Sequence, residues 1–162
     1  TTLNSPFPLT GILHAAGVLE DGLLINLQES ALDRVLAPKL AALLLDQWSR
    51  ALPLKFFVLY SSATGVLGSP GQAPYAGANA LLDALAIKRQ KEGFPALSLA
   101  WGPFAEAGMA AALSDKMKSQ GILPFSLKEG TDLLEKLLPS SLPSSAPASS
   151  RRDRASRPPG YL

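Results

Sequence analysis

The sequence predicts an open parallel α/β sheet, because three short apolar runs alternate with longer segments of helical period. The runs are GILHAA (residues 11–16), KFFVLYSS (55–62) and ALSLAWG (96–102). Nearly continuous hydrophobicity is typical of strands that are buried on both faces, as in parallel sheets. The runs are also too far apart in the sequence for hairpins, so the predicted order is β-α-β-α-β-α.

The segments between the runs carry helix signals. Residues 27–52 are helical in period but contain Pro38, which predicts either two helices or one kinked helix. Residues 71–93 form the second helical segment, with Gly93 as its stop. The basic residues predicted at the C-terminal end of that helix are Lys88, Arg89 and Lys91.

The chain divides into a folded part and a tail. Ser126 and Glu129 have capping-box spacing and predict a last helix over residues 127–138. Serine and proline dominate residues 139–162, which we therefore predict to be a disordered tail or linker rich in Ser, Pro and Arg. Residues 1–138 are then the folded domain.

Composition limits the classes of function. The 162 residues are 47% hydrophobic, which suits one globular domain. With no cysteine and one histidine, we expect neither disulfides nor a metal site. No run of about 18 apolar residues and no signal-peptide pattern occurs, so we expect a soluble, cytoplasmic protein with no membrane partner. Outside the arginine-rich tail the chain holds 11 basic and 12 acidic residues, which predicts no nucleic-acid partner.

Three strands are few for this class, whose sheets usually have about six strands built from two halves. Nothing before residue 11 offers a strand, a glycine-rich turn and a helix. We therefore expect the C-terminal half of a doubly wound parallel sheet, with the N-terminal half that carries the dinucleotide loop absent.

The glycine-rich segment after the second strand allows two interpretations. Gly65, Gly68 and Gly71 follow a strand and precede a helix, which is the context of a dinucleotide-binding fingerprint. However, the spacing is GxxGxxG, and Leu85 stands twenty positions past Gly65, where a ribose-binding acid is expected. Glycines that allow tight turns are the favoured alternative to a phosphate cradle.

A catalytic constellation is the other candidate. Ser62 ends the second strand, Tyr75 lies 13 residues later in the first turn of the next helix, and Asn79 is one turn further on the same face. A tyrosine with the ordinary pKa of about 10 is a poor acid near neutral pH and needs a neighbouring cation. Lys39, next to Pro38 in an apolar helix, is the candidate. Residue type alone leaves open a strand-end cap for Ser62, core packing for Tyr75 and a solvated Lys39.

Four segments together resemble the ketoreductase domain of modular polyketide and fatty acid synthases, a branch of the short-chain dehydrogenase/reductases. They are HAAGVLED, APKL, LYSSATGVLGSPGQAPYAGANALLDALA and LAWGPFAEAGM, and the resemblance covers about residues 10–138. It implies a Rossmann-like fold and the NADPH-dependent reduction of a β-ketoacyl thioester to the β-hydroxyacyl thioester. The substrate would be carried on the phosphopantetheine of an acyl carrier protein.

The resemblance also implies a role for each residue of the constellation. Tyr75 would be the general acid, and Ser62 would hydrogen-bond the ketone oxygen. Lys39 would support Tyr75 and bind the nicotinamide ribose, while Asn79 would orient Lys39 or a water in a proton relay. The wider superfamily has its lysine four residues after the tyrosine; here Asn79 stands there, so the narrower family fits better.

The implied cofactor site lies after the first and third strands. Its residues would be Ala15, Ala16, Gly17, Gly102 and Pro103, together with Lys39 and Tyr75. His14 is interpreted as a satisfied core histidine and Trp101 as core packing.

Two positions bear on stereochemistry. Ketoreductases that yield the D-alcohol resemble one another in an LDD motif, and those that yield the L-alcohol have a tryptophan eight residues before the tyrosine. This chain has Leu19, Glu20 and Asp21 at the first position and Leu67 at the second, which favours the D-alcohol class. Without the resemblance, Asp21 would be a solvated loop carboxylate. Residues 105–123 match the mobile substrate lid of the family.

Two hypotheses of function remain. The chain is the catalytic half of a ketoreductase that needs its nucleotide-binding half, or it is a truncated, non-enzymatic ketoreductase-like remnant or structural module. In both cases we expect the isolated chain to be inactive and to bind NADPH weakly or not at all.

Overall fold

The computed structural model describes residues 8–106 and 123–141. The strands are β1 (Gly11–His14), β2 (Phe56–Ser62) and β3 (Leu97–Trp101), and the helices are α1 (Glu29–Ser49), α2 (Thr64–Leu67), α3 (Ala73–Lys91) and α4 (Leu127–Ser141). A single 3-10 turn in these ranges covers Leu24–Asn26. The predicted order of strands and long helices is confirmed, and α2 and the 3-10 turn are additions to it.

The sheet is parallel and has the strand order β1-β2-β3 within the described ranges. Gly11 lies opposite Phe56 at one end, and Ser62 lies opposite Trp101 at the other. Because all three strands run the same way, their carboxyl ends meet at one edge, where open α/β sheets place their ligands.

Both faces of the sheet are covered, as in a doubly wound fold. Successive side chains of β2 point to opposite faces. Phe57 and Leu59 belong to one core with side chains from α1, α3 and the segments just before β2 and β3: Ala42, Leu54, Leu82, Leu85, Ala86 and Ala96. On the other face Val58, Leu99 and Trp101 pack against a second set that includes α4: Phe104, Leu134, Leu137 and Leu138.

One edge of strand β1 has no neighbouring strand in the described part of the chain. In those ranges the strand pairs only with β2, and its Leu13 is half exposed. A parallel strand normally lies inside a sheet with both faces covered, so this edge is open to a further strand.

Helix α1 runs unbroken through Pro38. Of the two predicted alternatives, the structure therefore has one helix here and not two separate helices. A proline removes only one backbone donor, whereas one side of α1 is buried along its whole length at helical spacing. The buried residues of that side are Ala31, Val35, Lys39, Ala42, Asp46 and Ser49.

The glycines after β2 serve turns and a close approach. Gly68 and Gly71 have φ of 73° and 77°, which favour glycine. A Cβ on Gly65 would lie 3.2 Å from the Ala80 nitrogen and 3.3 Å from the Asn79 Cβ, so glycine lets this loop approach α3. These observations support the turn interpretation over a phosphate cradle.

The capping box of α4 is confirmed. The Ser126 nitrogen donates to Glu129 Oε2 at 2.8 Å, and the Glu129 nitrogen donates to Ser126 Oγ at 3.2 Å. The helix continues to Ser141, three residues past the predicted end, because sequence signals locate helix ends only approximately. Most of the predicted lid (residues 107–122) and the rest of the predicted tail (142–162) lie outside the described residues.

Candidate active site at the carboxyl ends of the strands

Lys39 is a buried cation. Its side chain lies on the buried side of α1, and the residue is only 3% exposed. The ammonium donates to the Tyr60 carbonyl oxygen of β2 at 3.2 Å. Burial lowers the pKa of Lys39 below its ordinary value, because a low-dielectric environment disfavours the charged form. The alternative of a solvated lysine is therefore wrong.

Ser62 is the last residue of β2, and its hydroxyl is oriented by its neighbour. The Thr64 hydroxyl donates to Ser62 Oγ at 2.9 Å, and the Thr64 nitrogen lies 3.3 Å from the same oxygen. Both contacts use Ser62 Oγ as an acceptor. The hydroxyl hydrogen of Ser62 is thereby left to donate to another group.

Asn79 is held in one orientation one turn after Tyr75. The Asn79 Nδ2 donates to the Tyr75 carbonyl oxygen at 2.8 Å, which fixes the amide because a carbonyl accepts only from the NH₂ group. The Ser61 hydroxyl donates to the Asn79 carbonyl oxygen at 3.2 Å and attaches α3 to β2. Asn79 is fully buried, whereas Tyr75, in the first turn of α3, is half-buried.

His14 lies at the end of β1 close to Lys39. Burial lowers the pKa of His14, the charge of Lys39 lowers it further, and a hydrogen bond with the Pro38 backbone acts in the opposite direction. Its Nε2 is buried and has no partner among the described residues. The interpretation of His14 as a fully satisfied core histidine is therefore wrong at this atom.

Three buried polar atoms in the described ranges lack a hydrogen-bond partner: His14 Nε2, Asn79 Oδ1 and Trp101 Nε1. Nearly all buried polar side-chain atoms in proteins are paired, so each exception calls for an explanation. His14 and Trp101 end their strands, and Asn79 follows Tyr75 by one turn. Such unused hydrogen-bonding capacity is what a site for a polar ligand requires.

Trp101 also packs as predicted. Its ring lies 5.7 Å from that of Tyr60 and 5.3 Å from that of Phe104, centroid to centroid. Just beyond it, a Cβ on Gly102 would lie 3.2 Å from the Phe125 ring, and the Pro103 carbonyl accepts from the Phe125 nitrogen at 2.8 Å. The chain after β3 is thus fixed tightly to the start of α4.

Small residues follow β1. Ala15 and Ala16 are exposed and Gly17 is half-buried, immediately after the end of that strand. Short side chains leave room for a ligand to approach the backbone. With the unpaired Asn79 oxygen and the buried Lys39 ammonium, these residues fit the nicotinamide and ribose end of a dinucleotide.

The loop that carries Asp21 is attached on two sides. Glu20 accepts from Arg34 of α1 at 2.6 and 2.9 Å, and this hydrogen bonding lowers the pKa of Glu20. Asp21 accepts from Gln72 Nε2 at 3.1 Å, and the Gly22 nitrogen donates to the carbonyl oxygen of Gly71 at 2.8 Å. The loop therefore joins α1 to the segment just before Tyr75.

Lys88, Arg89 and Lys91 lie in the last turn of α3, as predicted. Sequence reasoning did not find that Arg89 is fully buried. The presence of Asp46 in the apolar helix α1 was the signal that could have identified its partner, because a buried carboxylate needs a cation. Residues 8–106 and 123–141 hold no group of three or more side chains able to ligate a metal ion, and no helix in these ranges has the length and hydropathy needed to cross a membrane.

Comparison with known proteins identifies the family of this chain. The family model for the KR domain matches residues 1–106. The spectinabilin polyketide synthase system protein NorB of Streptomyces orinoci is 47% identical over 137 residues, which are 81% of this chain and 6% of that protein. The erythronolide synthase EryA2 of Saccharopolyspora erythraea is 43% identical over 135 residues, 82% of this chain and 4% of that protein.

Solved structures give the same result. An A-type ketoreductase from a modular polyketide synthase superimposes with a TM-score of 0.79 at 39% identity, covering 85% of this chain and 30% of that one. The chain therefore spans less than a third of that ketoreductase and a small fraction of the synthases. On these grounds, this chain belongs to the KR family, the ketoreductase domains of modular polyketide synthases, and has their short-chain dehydrogenase/reductase type of Rossmann-like fold.

Proposed function

We propose that this chain forms the catalytic part of a ketoreductase that reduces a carrier-bound β-ketoacyl thioester to the β-hydroxyacyl thioester with NADPH. The observation that carries the proposal is the cluster of polar groups at the carboxyl ends of the strands. The buried Lys39 lies on α1 and the oriented Ser62 ends β2. The buried Asn79, whose side-chain oxygen has no partner among the described residues, lies on α3 together with Tyr75.

NADPH, when bound, supplies the hydride that the ketone carbon receives, and the ketone oxygen takes a proton. Tyr75 is proposed to give that proton through its phenol oxygen. Ser62 donates a hydrogen bond to the same oxygen, whose negative charge grows as the hydride arrives. This role uses the hydroxyl hydrogen that the contacts with Thr64 leave free.

Lys39 and Asn79 are proposed to support Tyr75. The buried Lys39 ammonium is proposed to act on the Tyr75 phenol oxygen, because a charge acts more strongly in a low-dielectric environment than in water. The Asn79 oxygen is available to accept from the Lys39 ammonium or from a water, which would return a proton to Tyr75.

The cofactor site is proposed to include Ala15, Ala16, Gly17, Gly102 and Pro103. They follow the ends of β1 and β3, where a nicotinamide ring has room beside small side chains. The landomycin C-6 ketoreductase LanV, whose solved structure contains NADP and rabelomycin, shares this fold at 21% identity. The adenosine and pyrophosphate would be bound by a nucleotide-binding half outside this chain.

That half is proposed to dock against β1. Among the described residues, β1 pairs with β2 on one edge only, and its Leu13 is half exposed. Adding a parallel strand there would satisfy the backbone groups of the edge and bury Leu13. The second partner is an acyl carrier protein, because the homologous proteins are polyketide synthases.

The D-alcohol class is proposed from Asp21 and Leu67. Asp21 is held against Gln72, three residues before Tyr75, and so lies on the approach to the catalytic tyrosine. Leu67, where the L-alcohol class would have tryptophan, is 83% exposed. We expect Asp21→Ala to lower the stereochemical purity of the product, measured by chiral chromatography of the released hydroxy acid.

The test is NADPH oxidation with a β-ketoacyl thioester. It is run on this chain alone and again with the upstream half of a related ketoreductase. Turnover only with the added half supports the proposal. If the halves associate but no turnover occurs, the chain is a non-enzymatic remnant. Calorimetry should give weak or no NADPH binding to the chain alone, and micromolar affinity would contradict the split of the cofactor site.

A further inference from the structure

Arg89 of α3 contacts α1, β2 and the segment before β3 through one guanidinium group. Its Nη1 donates to the Asp46 carboxylate and, at 3.2 Å, to the Ser49 hydroxyl, both on α1. Its Nε donates to the Pro95 carbonyl oxygen before β3 at 3.3 Å, and the guanidinium lies 4.0 Å from the centre of the Phe57 ring in β2. We call this set, Arg89 with Asp46, Ser49, Pro95 and Phe57, the arginine tether.

The buried Arg89 guanidinium of the tether is paired with an opposite charge, the Asp46 carboxylate. Burial raises the pKa of the Asp46 carboxyl, but hydrogen bonds from Arg50 and Arg89 more than offset that effect and the pKa lies below its ordinary value. Arg50 also contacts Glu92 at 2.7 Å at the half-exposed rim. Replacing a matched buried pair by apolar residues often leaves stability unchanged, so stability alone does not explain the tether. What the ion pair between Arg89 and Asp46 adds is a directional contact between α3 and α1.

The tether lies on the same helix sides as the candidate site. On α1 it uses Asp46 and Ser49, which lie on the same buried side as Lys39, two turns further along the helix. On α3 it uses Arg89, which lies on the buried side that contains Asn79. At 1.5 Å per residue the tether is about 10 Å from Lys39 along α1 and about 15 Å from Asn79 along α3.

The packing between these two ends is apolar and includes small residues. Ala42 lies between Lys39 and Asp46, and Leu82 and Ala86 lie between Asn79 and Arg89. Hydrophobic contacts are not directional, so a small slide or rotation of α1 against α3 would cost little there. By contrast, the hydrogen bonds of Arg89 are directional: Nη1 contacts Asp46 and Ser49 on α1, while Nε contacts the Pro95 carbonyl oxygen.

We propose that Arg89 is a positioning residue: the arginine tether sets the register of α1 against α3 and thereby places Lys39 relative to Tyr75 and Asn79. The role in turnover rests on the proposed ketoreductase function. The effect on helix register does not. A misplacement of about 1 Å is enough to slow an enzyme about 100-fold.

The main variant is Asp46→Leu with Arg89→Met, which removes both charges together and keeps similar volumes. Its matched control is Asp132→Leu with Lys128→Met, which removes an exposed pair on α4. Asp46→Asn is the second variant, because it keeps the size of the side chain if the first variant does not fold. Thermal unfolding identifies which variants are folded.

Helix register is measured without reference to activity. Since the chain has no cysteine, spin labels can be attached only where Leu40→Cys and Ala80→Cys place them, at exposed positions next to Lys39 and Asn79. We expect electron paramagnetic resonance to show a shifted or broadened label distance in the tether variants and none in the control. An unchanged distance in folded tether variants overturns the proposal.

Turnover is measured in the form reconstituted with the upstream half. We expect kcat to fall about 10- to 100-fold in the tether variants while KM changes by less than about threefold. A changed label distance with unchanged kcat overturns the catalytic role of the tether. If the unsubstituted protein shows no turnover at all, the proposed function fails, and the label distances still decide whether the tether sets the register.

Discussion

Lys39 of α1 and Arg89 of α3 are both buried cations on the same side of α1. They differ in how many groups contact each of them. Arg89 contacts a carboxylate, a hydroxyl, a carbonyl oxygen and an aromatic ring. Lys39 is equally inaccessible, yet the structure gives it one hydrogen bond, to the Tyr60 carbonyl, in the described part of the chain. His14 and Asn79, which lie near Lys39 and Tyr75, each have an unpaired buried atom.

The difference separates structure from function. A buried charge with all its contacts made holds elements together, whereas a buried charge with capacity to spare is costly unless a ligand uses it. Lys39, the charge with spare capacity, lies at the end of the sheet where a substrate would bind. Arg89, whose contacts are made, lies at the other end of the contact between α1 and α3.

Tyr75→Phe should have the largest effect on turnover among variants at the carboxyl ends of the strands, where buried polar atoms lack partners among the described residues. Removing the phenol hydroxyl removes the proposed general acid, so turnover in the reconstituted form should fall by about 10²- to 10⁴-fold. The measurement is NADPH oxidation, with thermal unfolding as the control for folding. Undiminished turnover would refute the assigned role of Tyr75.

Lys39→Met and Arg89→Met test the comparison directly. Arg89→Met leaves the Asp46 carboxylate with Arg50 only, so the free energy of unfolding should fall by on the order of 3 kcal/mol. Lys39→Met removes a buried ammonium with few partners, so at pH 7 it should raise that free energy by about 1 kcal/mol. Urea denaturation of the chain measures both changes, and equal losses of stability would contradict the comparison.

The pH dependence of the Lys39 effect follows from its lowered pKa. Between its folded pKa and its ordinary value, the unfolded chain binds more protons at Lys39 than the folded chain does. The loss of folding stability that the buried Lys39 charge causes is therefore largest below the folded pKa and disappears above about pH 10.4. The stability gap between Lys39→Met and the unsubstituted chain should shrink as the pH rises through that range.

His14 gives the smallest effect. Its pKa is lowered by burial first and by the charge of Lys39 second, so acid protonates the unfolded chain more readily than the folded one. Stability should therefore fall as the pH drops below about 6.5, by at most about 1.4 kcal/mol per pH unit. His14→Gln should remove that part of the loss. Thermal unfolding from pH 7.5 to 5.5 measures it, in protein without a histidine tag because His14 is the only histidine of the chain.

Much of the fold was accessible from the sequence, because hydrophobic period and turn residues act locally. The three apolar runs became β1, β2 and β3, each shorter by one or two residues than predicted. Gly93 ends its helix with a φ of 81°, and Ser126 with Glu129 caps α4. The sequence left open whether Pro38 divides α1 into two helices, and tertiary packing along one side of the helix decided for one.

The sequence by itself determined which residue types stand at the strand ends and at which spacing, and these identify the family. The tertiary structure decided which charges are buried and what meets them. Lys39 and Arg89 both lie in helices, and only the packing of α1 against β2 and α3 removes them from water. The partners of Arg89 on α1 lie 40 and 43 residues away. Contacts over such separations depend on the path of the whole chain, which no local pattern encodes.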